Sequence, residues 1–169
     1  LNFTVSLSNA SHLTITVEYA TADGSALVSD GDYTGISTTT ITFNPGETTK
    51  PVSVSVNGDT KFEPNETLEV NLSNATNATI TDVQGIGEII NDDGVPSITI
   101  DDVTLSEGNA GSTTFSFTVS LSASSSQTIT VEYATLDGTA EVVDGDYLAV
   151  PPTVLTFNPS ETSMPVSVT

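Results

Sequence analysis

The sequence predicts an all-β protein, an immunoglobulin-like antiparallel β-sandwich present as tandem repeats. Apolar residues alternate with Thr, Ser and Glu in short runs, and Asp-Gly, Asn-Gly and Asn-Pro turn formers interrupt those runs at roughly ten-residue spacing. Residues 3–55 then return, without a gap, as residues 117–169. Phe3 recurs as Phe117, an offset (117 − 3 = 114) on the scale of a domain rather than a solenoid unit. Roughly 34 of the 55 positions from 1 to 55 are identical to their partners from 115 to 169, turns included. A repeated turn implies a repeated backbone path.

Each strand is legible in its period of two. Phe3-Thr4-Val5-Ser6-Leu7, Ile15-Thr16-Val17-Glu18-Tyr19, Val52-Ser53-Val54-Ser55-Val56 and Leu68-Glu69-Val70-Asn71-Leu72 place apolar side chains on one face and polar ones on the other. Phe115-Ser116-Phe117-Thr118-Val119 does the same in the second copy. Asp23-Gly24, Asp30-Gly31, Asn44-Pro45-Gly46, Asn57-Gly58-Asp59, Gly85 and Asn91-Asp92-Asp93-Gly94 supply the turns. No segment shows a sustained helical period. Gly87-Glu88-Ile89-Ile90 runs into the acidic turn, and Ser97-Ile98-Thr99-Ile100 opens the second copy almost at once. The domain reading is therefore 1–93, a repeat lacking its first strand, and 95–169, a repeat lacking its last strands. A first copy without its opening strand leaves a sheet edge that the Ser97–Ile100 segment, or a strand of another molecule, is expected to fill by swapping.

Charge narrows the function. Against 22 acidic residues stand only Lys50 and Lys61, a formal charge of −20 with His12 neutral. Such a field repels nucleic acid and anionic membranes and attracts cations. With no Cys, disulfides, thiolate metal sites and cysteine nucleophiles are excluded. One lone His in a polar turn offers no nucleophile-and-base pair, so enzymatic activity is not expected. Asp23, Asp30, Asp137 and Asp144 read as turn formers bonding their own backbone, and Tyr19, Tyr33, Tyr133 and Tyr147 as packed corners. Six Asn-x-Ser/Thr triplets, from Asn2 to Asn77, matter only in a glycosylating pathway.

Five ordered motifs carry a resemblance. Glu18-Tyr19-Ala20-Thr21-Ala22-Asp23-Gly24, Asp30-Gly31-Asp32-Tyr33, Thr42-Phe43-Asn44-Pro45-Gly46-Glu47-Thr48, Phe62-Glu63-Pro64-Asn65-Glu66-Thr67-Leu68 and Ile89-Ile90-Asn91-Asp92-Asp93 stand in the order seen in Calx-β domains. The chain resembles that family over essentially its whole length. The resemblance implies a seven-stranded sandwich, calcium held at one end in several members, and no precedent for catalysis. It places ligands in the first copy on Asp32, Asp59, Glu63, Glu66, Asp92 and Asp93, and in the second on Glu107 and Asp146. Asn57-Gly58 and Asn91 stand where strongly binding members carry acids, which is expected to weaken affinity.

These readings converge on a non-catalytic calcium-binding repeat that stiffens a large secreted or cell-surface protein, its partners being calcium ions and neighbouring repeats. The rival is a calcium-independent adhesive or spacer module binding protein or glycan. No nucleic-acid partner is expected.

Overall fold

Alternation produces strands here and nothing else. The computed structural model describes all 169 residues, in eleven strands joined by turns and irregular segments. They form two compact units, Leu1–Asp59 with Pro64–Asn91, and Thr60–Glu63 with Asp92–Thr169.

The first unit contains β1 (Asn2–Ser6), β2 (Ile15–Asp23), β3 (Thr39–Phe43), β4 (Thr49–Ser53), β5 (Glu66–Thr76) and β6 (Gln84–Ile89). β1 pairs with β4, and the order β3-β2-β5-β6 builds a four-stranded antiparallel sheet. Buried Val52 and Val54 join Leu68, Val70, Ala26 and Tyr33 in one core cluster, and Ile15, Val17 and Phe43 form a second. The register between β2 and β5 slips between Thr16 and Glu18, where β5 carries one residue more than its partner. Asn74 takes up the slip with a left-handed φ of 47°, a conformation Asn tolerates better than most residues, and its amide donates to Glu18 Oε2 at 2.5 Å.

Two glycines on β6 explain how β1 approaches. A Cβ at Gly87 would lie 2.8 Å from both Phe3 Cζ and Leu1 Cδ1, and one at Gly85 would lie 3.2 Å from Phe3 Cδ1. The Phe3 ring therefore lies over a glycine strip, with the closest approach at Gly87.

The second unit contains β7 (Ile98–Ile100), β8 (Phe115–Leu121), β9 (Ile129–Tyr133), β10 (Thr153–Phe157) and β11 (Ser163–Val168). Its sheets run β11-β8-β7 and β10-β9, over a core of Val119, Leu121, Leu155, Phe157 and Val166. By sequence β8 to β11 repeat β1 to β4, whereas β7 has no counterpart in the first unit. The expectation that Ser97–Ile100 fills the first copy's gap is not met: β7 pairs with β8, Ile98 opposite Leu121 and Ile100 opposite Val119. Its own repeat offers it a matching edge, so the shorter closure wins.

The copies act as a control on each other. β2 continues to Asp23 because β5 pairs with it from Ala20 to Asp23, whereas β9 stops at Tyr133 although Ala134-Thr135 repeats Ala20-Thr21. A strand ends where its partner ends. Phe62, placed by the chain in the second unit, makes an isolated parallel bridge with Ser125, which is buried.

Replacing Gly87 by Val is expected to cost about 1–3 kcal/mol through overpacking against Phe3. Gly58→Ala, where a Cβ meets nothing within 4 Å, is expected to stay within about 0.5 kcal/mol of wild type. Urea unfolding of the two variants checks both.

Candidate metal centre

The loop between β2 and β3 is tied by its own side chains. Tyr33 donates its hydroxyl to Asp23 Oδ1 at 2.6 Å, and the Val28 amide donates to the same oxygen at 3.1 Å. One turn further on, the Leu27 amide donates to Asp32 Oδ2 at 2.7 Å, while the amides of Asp30 and Asp32 both reach the Leu27 carbonyl. Gly31 has a φ of 91°, which lets the chain double back between those two aspartates. Asn57 braces the turn from outside: its side chain donates to the Gly31 carbonyl at 2.6 Å and its own amide to the Asp32 carbonyl at 3.0 Å.

This loop is then fastened to the start of β5. Ala26 donates its amide to the Thr67 carbonyl at 2.9 Å, and the Thr67 amide donates to Ser25 Oγ at 2.9 Å. A Cβ at Gly24 would collide with the Thr67 carbonyl oxygen, so only glycine allows so close an approach. Tyr33 is 2 % exposed, and burial first, then its bond to Asp23, pushes its phenol up to about 12.

Docking the loop on β5 sets Asp32 against the segment that opens that strand. One carboxyl oxygen each from Asp32, Glu63 and Glu66 lie within 4.8 Å of one another, with Asp32 buried and the two glutamates half-buried. Glu63 and Glu66 are three residues apart, separated by Pro64-Asn65, and the Asn65 side chain is itself held, donating to Glu88 at 3.2 Å and accepting from the Asn91 amide at 3.1 Å. Three anionic oxygens this close repel by about 3.5 kcal/mol or more per pair at an effective dielectric of about 20. The Leu27 amide relieves Asp32, and Lys61, one of only two lysines, pairs with Glu63 at 2.5 Å.

The geometry suits a hard cation. Calcium binds oxygens at about 2.3–2.6 Å, so ligands on opposite sides of one ion stand about 5 Å apart, and a 4.8 Å cluster fits around a single ion. Three carboxylates offer three to six oxygens, and the remainder of a shell of six to eight would come from backbone carbonyls or water.

The other expected ligands do not join this cluster. Asp59 and Asp92 are exposed and Asp93 is half-buried. In the second unit Asp146 repeats the bond of Asp32, accepting from the Glu141 amide at 2.9 Å, but it is exposed. Glu107 is exposed too; with Asp146, Phe115 and Tyr147 it lines a cavity of about 700 Å³, where the two carboxylates form no group of three. Two further residues matter that sequence reasoning leaves unassigned. Asn57 reads in the sequence as a lost acid but is a brace, and Lys61 reads only as charge; a Lys two residues before Glu63 is the available signal.

The Asp-Tyr tie recurs: Tyr147 donates to Asp137 Oδ1 at 2.6 Å and the Val142 amide at 3.1 Å. The Tyr147 hydroxyl, then that amide, holds the Asp137 carboxyl below its usual range.

The Calx-beta domain model matches residues 1–93 and again residues 91–169. Among solved structures, the calcium binding domain CBD12 of CALX1.1 is 23% identical, covers 98% of this chain and 67% of its own, and superposes at a TM-score of 0.50. CBD12 from CALX1.2 is 23% identical over 99% of this chain and 68% of its own at 0.49, and the apo-form Calx CBD1 domain is 26% identical over 54% and 83% at 0.47. The first of these supports the shared fold. No curated protein matches the sequence.

Tyr33→Phe is expected to cost about 1 kcal/mol by removing one hydrogen bond. Because the folded phenol ionises near 12 rather than 10.0, its contribution is complete below pH 10 and disappears as pH rises toward 12. Wild type should lose stability over that window relative to Tyr33→Phe, as read by chemical denaturation at each pH.

Proposed function

The chain belongs to the Calx-beta domain family, and on that premise we propose that it is a non-catalytic calcium-binding module whose first repeat holds the ion through Asp32, Glu63 and Glu66. The observation that carries this is the convergence of those three carboxyl oxygens within 4.8 Å. A calcium binding domain of the same fold supports it, as does a net charge of −20. A divalent ion replaces repulsion among the carboxylates with attraction to a common centre, and the loops that carry them lose mobility. In a large secreted or cell-surface protein built from such repeats, this stiffens the array. Asp59, Asp92 and Asp93 complete the shell in that reading when the ion draws their segments in.

One observation favours the second reading, a calcium-independent adhesive or spacer module. Lys61 already supplies Glu63 with a counter-charge. A repeat with a built-in cation needs metal less, and its exposed faces then bind protein or glycan.

Melting with calcium and with chelator separates the two. At a calcium concentration about 100 times Kd the stabilisation is expected to reach about 2.7 kcal/mol. Glu66→Gln should abolish most of that shift while leaving the chelator-treated melting point unchanged or raised, since one repelling charge is gone. A melting point indifferent to millimolar calcium favours the spacer. Solution scattering of Asp92→Asn/Asp93→Asn with calcium tests stiffening: a calcium-dependent repeat should lose its fixed interdomain geometry.

A further inference from the structure

We propose that Asn57-Gly58 is a self-modification site, at which slow deamidation by water converts the brace of the Asp32 loop into a repelling anion. This goes beyond the calcium reading and does not depend on it. The chemistry needs an asparagine whose side-chain carbonyl carbon can be reached by the next backbone nitrogen, unobstructed by the side chain of the residue that carries it. Of all the asparagines, only Asn57 precedes glycine. Asn44 and Asn158 precede proline, which has no N–H to lose, and each of the others precedes a residue with a side chain.

The fold leaves this junction open. Asn57 and Gly58 are exposed, and a Cβ at Gly58 would meet nothing within 4 Å. The Gly58 amide donates to no backbone carbonyl, so the attacking nitrogen is not held in a pairing. Asn57 itself is tied to the loop twice. Its side chain donates to the Gly31 carbonyl at 2.6 Å and its amide to the Asp32 carbonyl at 3.0 Å. The second bond belongs to a short antiparallel contact, in which the Thr34 amide donates to the Ser55 carbonyl at 2.9 Å and Tyr33 bridges Val56.

In the reaction the Gly58 nitrogen bonds to Asn57 Cγ and the Cγ–Nδ2 bond breaks. The departing NH2 group takes the proton of the Gly58 amide and leaves as ammonia. Water then opens the five-membered imide at either carbonyl, giving aspartate, or isoaspartate when the main chain is routed through the former side chain. One water is consumed, one ammonia is released, and nothing is oxidised or reduced. Either product removes the donor that held the Gly31 carbonyl and sets a carboxylate against that oxygen, opposite a turn that already carries Asp30 and Asp32. Isoaspartate also adds one carbon to the main chain at the residue whose amide bonds Asp32, so the pairing beside Tyr33 loses its register.

The full chain, aged in mildly alkaline buffer without metal and mapped by fragmentation mass spectrometry, tests this. Amide-to-acid exchange is expected to accumulate at position 57 ahead of every other asparagine, with isoaspartate among the products. Gly58→Ala, whose added methyl group meets open space, should lose most of that exchange while keeping a urea midpoint close to that of the unmodified chain. The aged chain should unfold at lower urea than fresh chain, aged Gly58→Ala should not, and Asn57→Asp should reproduce part of the drop without ageing. Three results would each overturn the proposal: folded chain that keeps its amide at position 57 while urea-unfolded chain loses it, exchange no faster there than at the other asparagines, or converted chain that unfolds at the same urea concentration as fresh chain.

Discussion

A phenol bonded to a carboxylate ten residues away sets the shape of the loop on which the site depends. Tyr33 on Asp23 closes that loop, the Leu27 amide on Asp32 orients the second aspartate, and the two bonds together leave little freedom to the chain between them. The second unit shows that this closure is local. Tyr147 with Asp137, and the Glu141 amide with Asp146, reproduce it where no strand corresponding to β5 is present. Local sequence therefore makes the loop, and a distant strand makes the site. Only in the first unit does β5 receive the loop, burying Asp32 and bringing it to Glu66.

That division has an energetic meaning. Holding like charges together is unfavourable, and a fold tolerates it only where other interactions fix the participants. Here the fixing comes from backbone amides, from Asn57 and Asn65, and from the close contact at Gly24. Lys61 on Glu63 offsets part of the repulsion. That pair supplies part of the counter-charge that the carboxylate group requires.

Much of this is legible in the sequence, for stated reasons. Period-two alternation locates most strands because their side chains face a core on one side and water on the other, and the internal repeat announces two copies. Thr39–Phe43 and Thr153–Phe157 are harder to see, since Thr39 and Val154 blur the alternation. The end of β9 at Tyr133 is hidden, because it depends on a pairing that sequence reading assigns only by analogy. Asp32, Glu63 and Glu66 come from family motifs, not from spacing: Asp32 lies about thirty residues from the glutamates, and only the docking of one loop on β5 unites them. The structure does not gather Asp59, Asp92 and Asp93 into the same cluster. The glycine pair at 85 and 87 reads as turn or flexible strand, whereas each makes room for an aromatic ring from another sheet.

Calorimetric titration of calcium into the chain and into Asp32→Asn and Asp146→Asn tests whether Asp32 holds the ion. The expected result is a binding heat that Asp32→Asn removes and Asp146→Asn leaves nearly intact, because burial and two neighbouring glutamates distinguish the first aspartate from the second. Undiminished binding in Asp32→Asn would contradict it.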